Sequence, residues 1–341
     1  MTAPARREGL RIAVAGASGA VGSELVAVLG ERRFPVAELL PFATDRSLGR
    51  DVEIDDEVIA IEAEAPPLRG LDLLFVCTPR GAALDLVRAA LRAEVACIDC
   101  SGALARSAEV PLGLADRSPA AELVGAPLVA APSGPALAWG RVLAALDDAA
   151  GVERVTGTVL QSAAHAGRDG IEALSDETVA VLAQQEPPEP AVFAGPVAFD
   201  CLPRETAAEA EADEDALAAE LARVVARILG RDVPLDAAFV QVPAFVGEAS
   251  ALTVELRRAL SPEEAREVLA KTAGVALHPA GDALLAGPTL RDAAGSDDVL
   301  VGGVRRDRAH ANGLALWLVA DPVRIAASNA VKLAEARTQL H

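Results

Sequence analysis

Apolar positions open the chain as a short, almost unbroken run. Leu10 to Ala15 is interrupted only by Arg11, the pattern of a strand buried on both faces. The segment Gly16 to Gly22 is rich in glycine. Ser23 to Gly30 then has helical spacing, with Val21, Leu25, Val28 and Leu29 on one face. Val36 to Ala43, Leu71 to Cys77 and Val95 to Asp99 read as further buried strands, the last two separated by a helix over Ala82 to Arg92. Strands alternating with helices predict an α/β domain built on a doubly wound parallel sheet of the Rossmann type.

The texture changes after about residue 130. Pro135 to Ala149, Asp169 to Gln185 and Ala207 to Leu229 read as helices, and Gln184 to Pro196 as a Pro/Glu-rich loop. Strand patterns cover Val152 to Gln161, Ala238 to Phe245, Ala251 to Arg257, Val299 to Arg305 and Leu314 to Ala320. Adjacent strands with few helices between them predict a largely antiparallel sheet, hence an α+β second domain. The expected division is residues 1–131 and 132–322, with a last helix over 323–341 returning to the first domain.

Composition narrows the class. The 341 residues are 52% apolar and carry a net charge of −19, with Lys271 and Lys332 the only lysines among 31 basic residues. Such a chain can bury a large aliphatic core and is not disordered. Its acidity argues against a nucleic-acid coat protein. No apolar run is long enough to span a bilayer. The segment Met1 to Gly9 lacks the pattern of a signal peptide, so a cytoplasmic location is expected. Four cysteines in this length do not form a disulfide framework.

Gly16, Gly19 and Gly22 stand at a strand-to-helix turn with G-x-x-G-x-x-G spacing. Backbone N–H groups there approach a pyrophosphate only where no Cβ intervenes, and the following helix N-terminus favours negative charge. Gly16, Ser18, Gly19, Ala20, Val21 and Gly22 are therefore candidate cofactor residues. After the second strand come Thr44, Asp45, Arg46, Ser47 and Arg50. Thr44, Arg46, Ser47 and Arg50 suit a 2′-phosphate and so NADP, while Asp45 leaves NAD open. A solvated polar turn with no ligand is the alternative for this segment.

Together these features resemble the aspartate-semialdehyde dehydrogenase family. Gly16 to Gly22 resembles its G-A-T-G-A-V-G loop, and Ala43 to Arg50 its A-S-x-R-S-x-G-K loop. Gln161 to Gly167 resembles Y-Q-A-V-S-G-A-G, and Asp321 to Val331 resembles D-N-L-R-K-G-A-A-x-N-A-V. The resemblance implies NADP, amino-acid biosynthesis, a homodimer formed through the second domain, and a small-molecule ligand in a cleft. It also places Asn329 near the nicotinamide and keeps Gln161 as a cleft residue.

The family's chemistry uses a Cys nucleophile, a His base and an Arg on the substrate carboxylate. The segment resembling A-N-P-N-C-S-T is Ala130 to Ala136, and Pro132 sets Gly134 on the Cys position. The segment resembling R-x-P-V-x-x-G-H is Gln241 to Glu248, with Gln241 for the Arg and Glu248 for the His. The phosphate-side Arg falls on Ala105, with Arg106 one residue out of register. The expectation is a homologue without the family's catalytic residues, acting by binding or regulation, with its NADP(H)-type site retained or lost. The alternative is an active NADP-dependent oxidoreductase on a semialdehyde or other carbonyl by a modified mechanism.

Two smaller constellations remain. Ser133, His165 and Glu248 would form a hydrolytic arrangement if they converged. Otherwise they line a polar cleft. Cys97 and Cys100 have C-x-x-C spacing but no second Cys/His pair nearby, so packing at a strand end is expected, and no metal. The acidic run Glu209 to Glu214 reads as a solvated helix start.

Overall fold

A computed structural model describes residues 9–47, 49–118, 120–204, 217–279 and 287–338. It divides into two units, Met1–Ser133 with Ala326–His341, and Gly134–Ile325.

The first unit begins with β1 (Leu10–Ala15), α1 (Ala20–Glu31) and β2 (Val36–Phe42). β3 (Asp51–Ile54) and β4 (Glu57–Ala60) form a separate antiparallel hairpin. β5 (Leu73–Val76), α2 (Arg80–Arg92), β6 (Ala96–Asp99), α3 (Ala120–Leu123) and β7 (Leu128–Ala130) follow. The main sheet has the order β2-β1-β5-β6-β7, parallel at every pairing.

Strand alternation explains why the apolar runs are continuous. Ile12 and Val14 face Leu25, Val28 and Leu29 of α1, together with Ala327, Ala330 and Val331 of the C-terminal helix. Ala13 and Ala15 face Ala83, Val87 and Ala90 of α2.

The second unit contains α4 (Gly134–Ala150), β8 (Val152–Gln161), α5 (Gly167–Leu182), β9 (Leu202–Pro203), α6 (Leu217–Leu229) and β10 (Leu235–Gln241). Then come β11 (Glu248–Leu256), α7 (Pro262–Ala270), β12 (Val275–Leu277), α8 (Leu290–Ala293), β13 (Val299–Arg306) and β14 (Gly313–Ala320). α9 (Pro322–Thr338) ends the fold. Asp321 caps it, accepting from the N–H groups of Val323 and Arg324 at 3.1 Å each.

The sheet order is β12-β13-β14-β11-β8-β10-β9. It is mixed: β8 runs parallel to β10 and β12 to β13, and the other neighbours are antiparallel. One face packs under α4, where fully buried Trp139 lies over Gly157 and donates from Nε1 to Ser250 Oγ at 2.9 Å. The other face carries Thr156, Thr158, Ala251, Thr253 and Trp317 around a hollow of about 1230 Å³.

Several expected elements shift. The strand expected over Ala238 to Phe245 is β10, ending at Gln241; Pro243 has no N–H for the ladder. α7 was not expected, yet its start is a capping box: Ser261 Oγ accepts from Glu264 N at 3.2 Å, and Glu264 Oε2 accepts from Ser261 N at 2.7 Å. The β3–β4 hairpin was also missed. Its turn uses Asp55 and Asp56, both at positive φ (49° and 64°), in place of Asn-Gly. The acidic run Glu209 to Glu214 and the first half of the helix expected over 207–229 lie outside the described residues.

Candidate functional site

The glycine loop is shaped by contacts that admit no Cβ. Gly16 has φ +77°, and a Cβ there would lie 2.5 Å from Cys77 O. A Cβ on Gly22 would lie 2.2 Å from Gly16 O. The loop hangs from β2, with Gly16 N donating to Phe42 O at 2.8 Å. α1 starts at Ala20 with no side-chain cap on its N-terminus. This cradle fits a pyrophosphate, held by backbone N–H groups and the helix dipole.

The neighbouring loop is tied to the cradle. Ser18 Oγ and Ser47 Oγ are 2.7 Å apart. Ser47 is buried, whereas Thr44, Asp45 and Arg50 are exposed. The Arg46 side chain lies outside the described residues. Exposed Thr44 and Arg50 fit the demands of a nucleotide phosphate, while Ser47 holds two loops together.

Asn329, which the resemblance places near the nicotinamide, is fully buried, its Oδ1 accepting from Ala115 N at 3.0 Å and its Nδ2 donating to Gly113 O at 3.1 Å. Both ends of the amide thereby hold the 113–115 loop. Nearby, Asp99 folds the turn after β6, accepting from Ser101 N and Leu104 N at 2.9 Å each. Ala105 is buried in this turn, and Arg106 is half-buried.

In the second unit the strand register makes a polar row. Gln161 pairs with Gln241 on one side and Glu248 on the other. These three end the same helix-covered face whose next residues are Val159, Phe239 and Ser250. All three are buried. Gln161 Nε2 donates to Glu248 Oε2 at 3.3 Å and lies 3.2 Å from His165 Nδ1. Gln161 Oε1 accepts from Arg204 Nη1 at 2.5 Å. Gln241 Nε2 donates to Gln161 O at 2.9 Å, while its Oε1 is buried with no partner among the described residues.

Burial pushes the Glu248 carboxyl up to about 7, against the Gln161 hydrogen bond and the charge of Arg204, which both lower it. His165 is exposed at the rim; protein packed on its inner side and, second, the positive Arg204 lower its pKa. Gln161 stands between His165 and Glu248, so the acid does not orient the imidazole. The hydrolytic arrangement therefore lacks its His–acid bond. Ser133 belongs to the first unit, where its hydroxyl flanks Gly102.

Gly134 opens α4 at φ +54° with open space beside it. Sequence reasoning missed Arg204. It follows a two-residue strand with no motif of its own, and only the pairing of Leu202 with Gln241 brings it to the row.

The C-x-x-C cysteines lie in different cores on opposite faces of the sheet, Cys97 with α2 and Cys100 with α1. Burial, first for Cys97, raises its thiol pKa. Cys100 is hydrogen-bonded to Cys77, which with burial raises its own. Cys201 is exposed. Among the described residues no cluster could hold a metal ion, and no helix is long and apolar enough to cross a membrane.

Comparison with known proteins supplies the family. The model of the semialdehyde dehydrogenase NAD binding domain matches residues 11–122, and that of the semialdehyde dehydrogenase dimerisation domain matches residues 143–325. Aspartate-semialdehyde dehydrogenase 2 of Vibrio cholerae is 33% identical, with 95% of this chain and 96% of that protein covered. The crystal structure of aspartate semialdehyde dehydrogenase II from Vibrio cholerae, complexed with ASA, superposes with a TM-score of 0.89 at 30% identity, covering 98% of this chain and 99% of that one. A probable aspartate-semialdehyde dehydrogenase from Pseudomonas aeruginosa gives a TM-score of 0.88 at 29% identity, covering 98% and 99%. The alternating strands, the glycine cradle, the mixed second sheet and these matches make one conclusion: the chain belongs to the semialdehyde dehydrogenase family.

Proposed function

We propose that this chain binds NADP(H) and a small ligand, lacks the covalent dehydrogenase chemistry, and acts by binding or regulation. One observation carries the reading. The position the resemblance assigns to the nucleophile is Gly134, a residue with no side chain at φ +54°. A thioester needs a thiolate, and the one cysteine of the second unit, Cys201, is an exposed residue just ahead of β9 and not at the nucleophile position.

Two further positions agree. Gln241 is neutral and held by backbone carbonyls, and Glu248 is a buried carboxyl in place of an imidazole. The intact cradle of Gly16 and Gly22 supports retention of the dinucleotide, which supplies a hydride donor or acceptor when bound. Ser18, Gly19, Ala20, Val21 and Thr44 would line it. The half-open face of the second sheet and the match to a dimerisation domain support assembly as a homodimer. The test is phosphate-dependent reduction of NADP by aspartate semialdehyde, run beside an NADPH titration. Binding without turnover is expected; turnover overturns the reading.

A second reading is an oxidoreductase on another carbonyl. What favours it is Glu248: a carboxyl titrating near 7 in a polar row suits general acid–base work. It requires cofactor turnover with some aldehyde or ketone that disappears in Glu248→Gln.

A further inference from the structure

The polar row holds a cation that the family register does not assign. Arg204 reaches Gln161 from β9, the edge strand beside β10. Among the described residues that bond is its only partner, and no carboxylate lies within ion-pairing distance of it. A guanidinium has five N–H donors in a planar fork, so four remain for a ligand. Arg204 is half-buried, and desolvation acts on it first, which strengthens any anion contact it makes.

The second observation is Gln241. Its Oε1 is buried with no donor among the described residues, on a residue 1% exposed. A buried acceptor left unpaired is destabilising unless a ligand or water supplies an N–H or O–H. The row therefore offers cationic donors from Arg204 and an orphaned acceptor from Gln241, while the Gln161 amide is already engaged by Glu248, His165 and Arg204.

We infer that Arg204 is the anion anchor of a small-carboxylate site on this row, taking over from β9 the countercharge that residue 241 on β10 does not supply. The inference rests on the binding reading proposed above and names its ligand class. An acid with a carboxylate for Arg204 and an N–H donor for Gln241 Oε1 fits. The swap needs no change of fold, because β9 and β10 are paired and Leu202 is the register partner of Gln241.

The experiment is calorimetric titration of the full chain with succinamate, which carries one carboxylate and one amide N–H donor, with neutral succinamide as the control ligand. Wild type is expected to bind succinamate saturably and succinamide not at all. Arg204→Gln is expected to weaken succinamate binding by about tenfold or more, the loss of a charge-assisted contact. The double variant Arg204→Gln with Gln241→Arg is expected to recover binding, which also shows that the fold is intact. Equal succinamate affinity in wild type and Arg204→Gln overturns the inference, as does equal affinity for succinamide or no binding by wild type. Turnover of aspartate semialdehyde would instead overturn the inert reading and leave these titrations standing.

Discussion

Glu248 stands opposite Gln161 in the β11–β8 register and accepts from its Nε2 at 3.3 Å. The carboxyl gains one side-chain hydrogen bond and loses water, so burial dominates and its pKa rises to about 7. The groups acting on it are Gln161 and Arg204, which both favour the charged form.

A raised carboxyl binds its proton more tightly in the folded chain than in the unfolded one. Folded Glu248 is protonated between the ordinary carboxyl value of 4.5 and about 7, where the unfolded residue is not. Stability from this group is therefore complete below about 4.5 and falls as pH rises through about 7, by on the order of 3 kcal/mol. Glu248→Gln keeps the shape and removes the titration. Melting curves should show the variant above wild type at pH 8 and level with it at pH 5. A constant difference across that range would mean the carboxyl is not buried as a neutral acid.

Cofactor binding should depend on the cradle more than on any side chain. Gly22→Ala places a methyl 2.2 Å from a backbone oxygen, and the loop must open to admit it. NADPH fluorescence titration should show binding lost in Gly22→Ala with little change in the second unit. Ser47→Ala breaks the 2.7 Å link to Ser18 and should weaken NADPH by several-fold, about 1 kcal/mol for one neutral hydrogen bond. Unchanged affinity in both variants would place the nucleotide elsewhere.

Restoring a thiol alone should not restore chemistry. Gly134 has room for a side chain, but a non-glycine residue at φ +54° costs about 1–2 kcal/mol. Gly134→Cys should fold, melt slightly lower and leave NADP reduction by aspartate semialdehyde at background. The triple variant with Gln241→Arg and Glu248→His is expected to give detectable turnover. Background turnover in the triple variant would show that the register placing these three positions together is wrong.

Much of this was legible in the chain because it is local. A buried parallel strand shows as an apolar run, and a glycine cradle as three glycines at fixed spacing. Arg204 was not legible. Its place depends on a two-residue strand pairing with β10, and nothing within β9 reports the partner. Asn329 shows the same limit: the motif gives the residue type, and only the fold shows its amide bonded to Gly113 O and Ala115 N. The C-x-x-C spacing reads as a pair until alternation puts its two members in different cores.

The thiols follow from that alternation. Cys201 is exposed, while Cys97 and Cys100 are buried with raised pKa values. Thiolate is the reactive form and must be reached by the reagent, so native labelling with a disulfide reagent should give one fast thiol, lost in Cys201→Ser, and a slower one at half-buried Cys77. Cys97 and Cys100 should react only on unfolding. Fast labelling of either would contradict the packing on both faces of the first sheet.

One polar pin in the core of the second unit can be weighed directly. Trp139 is fully buried on α4, and its indole N–H donates to Ser250 Oγ on β11 at 2.9 Å. Ser250→Ala removes the acceptor while the indole stays buried, leaving a donor with neither water nor protein partner. The expected loss is about 1–3 kcal/mol, more than a surface hydrogen bond would give. Both tryptophans, Trp139 and Trp317, belong to this unit, so denaturant unfolding followed by tryptophan fluorescence reports on it directly. The midpoint should fall in Ser250→Ala with the slope unchanged, because the same surface is exposed. An unchanged midpoint would mean that the indole finds another acceptor, and that α4 is held on the sheet by apolar packing alone.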